Sequence, residues 1–134
     1  GFDEDDQVVA VSSRRLLRTW DPTRGAELKT TPLGPEAQHE YAEYYARRPV
    51  AFDSRCDRVA FGGNLFVPSS VWNAVTGTKE IAFSEIRGEA NGVAFSPDGH
   101  LVAFATGYLR DKFGFFYRQP DACAVFLHEL ETAK

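Results

Sequence analysis

Absent from the sequence are the spacings that mark the commonest enzyme chemistries. It contains no GxSxG, HExxH, GxxxxGK[ST] or GxGxxG, which removes the usual signs of a nucleophile elbow, a zinc-protease helix, a phosphate loop and a dinucleotide loop. Cysteine is scarce: Cys56 and Cys123 are the only two in 134 residues. No CxxC or Cys/His spacing accompanies them, so the reading is two buried or half-buried free thiols rather than a zinc site. That usage fits a reducing compartment. His39, His100 and His128 fall at unrelated positions. No metal, no cofactor and no catalytic residue is expected, and the chain is read as not an enzyme. No apolar run approaches the roughly 18 residues of a membrane-spanning helix. The opening GFDEDD places acids where a secretory signal needs a basic and then an apolar segment. The expectation is a soluble, cytoplasmic protein with no membrane partner. A net charge of −4 lacks the basic excess of a general nucleic-acid binder.

What is present is strand chemistry. Hydrophobic residues make up 43% and charged residues 25% of the chain, which argues against disorder. Eleven Phe, five Tyr and two Trp favour half-buried pleated surfaces. Three segments also repeat: GFDEDDQVVAVSS from Gly1, AFDSRCDRVAFGG from Ala51 and AFSPDGHLVAFAT from Ala94. Each has a Phe (Phe2, Phe52, Phe95), four turn-forming residues, one polar residue and an apolar run. A second motif follows each, in LLRTWDPTRG, SSVWNAVTG and VFLHELETA. There Trp20, Trp72 and His128 are equivalent, with Asp21, Asn73 and Glu129 behind them. Pro97-Asp98-Gly99 and Thr76-Gly77 are tight-turn signals. Each unit therefore reads as strand a, tight turn, strand b, loop, strand c, tight turn, strand d.

The segment NGVAFSPDGHLVAFATG resembles the start of a WD repeat, and RTWDPTRGAEL and VWNAVTGTKEI resemble its Trp-Asp end. The resemblance covers nearly the whole chain. It implies an all-β fold of β-propeller blades, each of four antiparallel strands: about three blades in an incomplete ring. Blade 1 covers about residues 1–30, blade 2 about 49–84 and blade 3 about 91–134, with insertions at 31–48 and 107–121. The Gly-His pair that many WD repeats carry before strand a does not occur, and no Asp stands between strands b and c of the first two units. Strands are expected near Val8–Ser12, Leu16–Trp20, Pro49–Phe52, Arg58–Phe61, Val71–Trp72, Gly92–Phe95, His100–Ala105 and Ala124–His128. Trp20, Trp72, Phe52, Phe61, Phe95 and Phe104 are expected to be mostly buried between blades.

Three blades do not close a ring, and open ends leave apolar faces in water. The cover is expected from further blades of the same protein, a second copy or another chain, with a fragment of a longer protein preferred.

Function is expected on the long loops, because connections on a rigid scaffold are where binding residues gather. Antiparallel order puts both insertions at the end opposite the tight turns. The first, with PEAQHEYAEYYARR, is read as a short helix opened by Pro35 and carrying a Tyr/Arg surface. Its plainer reading is a helix that packs its tyrosines on the sheets. The second, GYLRDKFGFFYRQPD, interleaves aromatic and basic residues; its plainer reading is an extended hairpin of strands b and c. The partner-binding residues expected are Tyr44, Tyr45, Arg47, Tyr108 and Arg110. The leading function is a protein–protein interaction scaffold or recognition module for a protein or peptide partner. The alternative is the propeller domain of an enzyme or small-ligand sensor with its site on the long-loop face.

Overall fold

The structure, a computed structural model, describes residues 1–12, 16–33, 48–63, 67–86, 89–107, 109–110, 116–117 and 124–130. These residues contain strands and turns and no helix. The strands are β1 (Val8–Val11), β2 (Leu16–Asp21), β3 (Ala26–Pro32), β4 (Val50–Phe52), β5 (Arg58–Phe61), β6 (Ser69–Asn73), β7 (Lys79–Phe83), β8 (Ala90–Phe95), β9 (Leu101–Thr106), β10 (Leu109–Arg110), β11 (Phe116–Tyr117) and β12 (Val125–Glu129). All pairings between strands are antiparallel. Sheet 1 has the order β1-β2-β3, sheet 2 β4-β5-β6-β7 and sheet 3 β12-β9-β8, while β10 and β11 form a separate pair. Every strand expected from the sequence is found within two residues of its predicted ends. The expectation of three four-stranded units is met in full by sheet 2 alone. In sheet 1 the place of strand a is held by a single bridge from Phe2 to Val8. Sheet 3 shows three strands among the described residues.

The turns repeat more faithfully than the residues that build them. The fourth turn residue is Asp6, Cys56 or Gly99, with φ of 58°, 58° and 74°. Each closes a three-residue hydrogen bond, from its amide to the carbonyl of Asp3, Asp53 or Ser96. The side chain of that same first residue accepts amides from the far side of the turn: Asp3 Oδ1 from Gln7, Asp53 Oδ1 from Asp57 and Arg58, and Ser96 Oγ from Leu101. Side-chain acceptors that stand in for a backbone turn are the reason Asp and Ser recur there. The residue after each Trp does the same at the second turn. Asp21 accepts from the Thr23 amide, and Asn73 from the amides of Val75 and Thr76.

Two apolar cores lie on opposite faces of sheet 2. On one face Val59, Phe61 and Trp72 meet Val9 and Leu17 of sheet 1, with Leu33, Cys56 and Ala74. On the other, Ala60, Val71 and Phe83 meet Val102 and Phe104 of sheet 3, with Leu130. The three sheets are therefore stacked face to face. Trp72, Phe61 and Phe104 are buried as expected. Phe52 and Phe95 are half-buried and pack on the edges of the two cores.

Trp20 departs from expectation: it is half-buried, outside both cores. Trp20, like Trp72, faces away from the following sheet, and no sheet lies on that side of sheet 1 among the described residues. The register slip concerns its partner strand. Val59 pairs with Trp72, and Val102 with His128, so sheets 2 and 3 match. In sheet 1 the equivalent Val9 pairs with Thr19, and Trp20 pairs with Val8. A one-residue slip exchanges the faces of a strand. It turns Val9 and Val11 of β1 toward sheet 2 and puts Val8 with Trp20 on the opposite face.

Candidate functional site

The connections expected to carry function grow from one junction between sheets 2 and 3. The Gly62 amide donates to the Pro49 carbonyl at 2.8 Å, the Ala90 amide to the Gly63 carbonyl at 2.9 Å and the Gly107 amide to the Glu89 carbonyl at 3.1 Å. The approach is close enough to demand glycine. A Cβ on Gly62 would stand 2.4 Å from Pro49 Cγ, and one on Gly63 2.4 Å from the Ser69 amide nitrogen. Arg48 is buried over this junction. Its Nε donates to the Gly62 carbonyl, and its Nη2 donates to the Pro68 carbonyl at 3.0 Å. Thr106 seals the other side, its amide donating to the Ala124 carbonyl at 2.8 Å. The return of the first insertion at Arg48, the departure of the second at Gly107 and its return at Ala124 are thus pinned to one piece of scaffold.

The departure of the first insertion goes elsewhere. At the end of β3, the Pro32 carbonyl backs onto Gly77 in the β6–β7 turn, and Leu33 enters the core between sheets 1 and 2. The twist of each sheet carries its outer strand across the neighbouring one. Strand direction alone did not anticipate this.

Of the residues expected to bind a partner, Tyr44, Tyr45, Arg47 and Tyr108 lie outside the described residues, as does most of the segment read as a helix. Arg110 is in β10, where its backbone pairs with Phe116. The β10–β11 pair agrees with the hairpin reading of the second insertion. Sequence reasoning missed Arg48. It closes the PEAQHEYAEYYARR segment read as a helix with a Tyr/Arg surface, and nothing in its neighbours signals that its guanidinium donates to the Gly62 and Pro68 carbonyls.

A second feature lies at the opposite end, where tight turns of sheets 2 and 3 border a hollow of about 280 Å³. Its wall includes Asp53, Asp57, Arg58, Glu80 and Asp98. Arg58 is paired with Glu80, Nε to Oε2, at 3.0 Å. Burial raises the Asp53 carboxyl above the ordinary 3.8, against the pull of the Arg58 and Asp57 amides. Asp98 is lowered, chiefly by the hydrogen bond from the Ser96 hydroxyl and then by the His100 amide. Opposed shifts of two carboxyls can mark an acid and a base. Here each has a structural cause, because both carboxyls serve as acceptors for the turns that carry them. No cluster of three metal-ligating side chains occurs among the described residues. Cys56, also near this end, is a buried free thiol whose Sγ donates to the Phe2 carbonyl at 3.2 Å.

The third feature is an apolar sheet face. On the side of sheet 3 turned away from sheet 2, Leu101, Ala103, Val125 and Leu127 lie together by register, and Leu127 is 69% exposed. No helix among the described residues is long and apolar enough to cross a membrane. Neither a family model nor a curated protein sequence matches the chain.

Proposed function

We propose that the chain is a set of WD-like propeller blades whose long loops form a recognition face for a protein or peptide partner. The observation that carries this reading is the junction at Arg48, Gly62, Gly63, Ala90 and Gly107. It holds three of the four insertion ends on a rigid base, which is how a scaffold presents loops for binding. The stacked sheets support the blade reading, as does the matching register of Trp72 and His128. The aromatic and arginine content of the loops supports partner binding, since such residues supply most interface anchors.

The test is a pull-down that compares a Tyr44→Ala/Arg47→Ala double variant with Asp98→Ala in a tight turn. Loss of two anchors at about 2 kcal/mol each should abolish recovery of the partner. The turn variant should recover it as the parent chain does. Equal recovery from both would leave the long-loop face without a role.

A further inference from the structure

Asparagine occurs three times, as Asn64, Asn73 and Asn91, and only Asn91 precedes a glycine. That order matters chemically. The amide nitrogen of the next residue can attack the side-chain carbonyl carbon of an asparagine, and a glycine leaves that nitrogen unshielded. A regular strand holds the reaction back, because ring closure needs the asparagine backbone to leave the extended conformation. Asn91 does not stand in a regular stretch. Ala90 pairs with Thr106 and Gly92 with Ala105, so Asn91 is the extra residue of a bulge in β8. A bulge interrupts the ladder and bends the strand at that residue. Asn91 is also exposed, so water reaches it. The glycine after it is not one that the fold demands: a Cβ on Gly92 would meet only Ala105 Cβ, at 3.8 Å, an ordinary contact. At Gly107 the reverse holds, and a Cβ would stand 2.2 Å from Asn91 Nδ2. The Asn91 carboxamide is therefore seated on the residue from which the second insertion departs. Asn73, by contrast, has its Oδ1 held by the amides of Val75 and Thr76. Asn64 lies outside the described residues.

We infer that Asn91 is a self-modification site, whose conversion to aspartate and isoaspartate loosens the anchor of the second insertion. The Gly92 nitrogen bonds to Asn91 Cγ and gives up its proton, and Nδ2 leaves with a proton as ammonia. The product is a five-membered cyclic imide. Water then adds to one of the two imide carbonyl carbons and breaks its bond to the Gly92 nitrogen. Opening at Cγ gives aspartate. Opening at the main-chain carbon gives isoaspartate, in which the backbone runs through the former side chain. Water is the one co-reactant, and no oxidant or reductant enters. Aspartate puts a carboxylate where the carboxamide met Gly107. Isoaspartate adds a methylene to the backbone at the bulge, between the Glu89 carbonyl that accepts the Gly107 amide and the Gly92–Ala105 pair. Either change acts on the junction that holds the insertion. The inference goes beyond the recognition reading and needs no partner, so either can fail without the other.

The experiment holds the folded chain at mildly alkaline pH and follows each asparagine by peptide mass mapping. An isoaspartyl methyltransferase labels the isoaspartate. Asn91 should convert to both products while Asn73 stays intact. Gly92→Ala should slow the conversion about tenfold, a barrier higher by about 1.4 kcal/mol. The parent chain kept in urea gives the rate without structure, so the test stands even where Gly92→Ala folds poorly. Brief protease treatment should cut the aged chain within residues 107–121 sooner than the fresh chain. Three results overturn the inference. An Asn91 that stays intact in the folded chain but converts in urea removes the site. Conversion of folded Gly92→Ala at the parent rate removes the chemistry. Equal cutting of aged and fresh chains removes the effect on the insertion.

Discussion

Trp72 and Trp20 hold the same place in the repeat, each one residue ahead of a turn-capping Asn73 or Asp21, yet their surroundings differ. Trp72 is 2% exposed. Its indole Nε1 donates to Ser70 Oγ at 2.9 Å, and Lys79 Nζ lies 5.2 Å from the ring centre. Trp20 is half-buried, on the face of sheet 1 that no other sheet covers among the described residues. The two strands are alike; what differs is whether a sheet lies on the face they share with their neighbours. In a stack, local sequence sets the strand and the adjacent unit sets its burial.

The largest expected effect breaks that comparison directly. Trp72→Ala should cost about 3–5 kcal/mol, the range for truncating a large core aromatic. Trp20→Ala should cost about 1 kcal/mol, in the ordinary range for a partly buried site. Urea unfolding of the two variants measures the gap. Equal losses would mean that Trp20 is covered in solution.

A smaller and sharper version uses Gly77 and Gly25, which close equivalent turns with φ of 76° and 63°. Both suit glycine, since a side chain in the left-handed region costs about 1–2 kcal/mol. Only Gly77 has a neighbour: a Cβ there would stand 2.2 Å from the Pro32 carbonyl oxygen, whereas nothing lies within 4 Å of one on Gly25. Gly25→Ala should therefore lose about 1–2 kcal/mol from conformation alone. Gly77→Ala should lose about 1–3 kcal/mol beyond that, because β3 must move away. A chemical melt that places the two midpoints together would show that sheets 1 and 2 separate easily at this corner.

The smallest effects are in pH. Asp53 is raised above 3.8 by burial, so the folded chain holds this proton more tightly than the unfolded one. Its contribution weakens stability as pH rises from 3.8 through the raised value. Asp98 is lowered below 3.8, so its contribution is full above that value and is lost as pH falls through the lowered one. Stability measured from about pH 2 to 6 should lose the falling component in Asp53→Asn and the rising component in Asp98→Asn. The exposed Asp98 should give the weaker signal, because solvent screens it. Slopes of the same sign in both variants would refute the assignment.

Much of the strand pattern was legible in the sequence. The run Arg58–Phe61 is β5 to the residue, and Gly25, Gly77 and Gly99 sit where their turns need positive φ. Asp6 and Cys56 share that conformation, which residue type does not announce. The slip in sheet 1 was not legible either, because Val8, Val9 and Val11 satisfy either face equally well and only the neighbouring sheet breaks the tie. The candidate site was less legible than the fold. The hollow at the turns is made by two sheets meeting, so no single segment encodes it. The junction depends on Arg48, whose charge reads as a surface residue until its carbonyl partners are known.

That arginine has a consequence for how the protein can vary. Gly62 follows β5 and Pro68 precedes β6, and the guanidinium of Arg48 joins their carbonyls just past the Phe61–Ser70 pair. It acts as one more rung beyond the point where the backbone ladder stops. A planar fork with fixed donors suits this better than a flexible ammonium. With the strand ends clamped from outside, the connection between them is relieved of setting their register. Insertions and deletions can accumulate there without disturbing the sheet, so the buried cation makes this loop free to evolve.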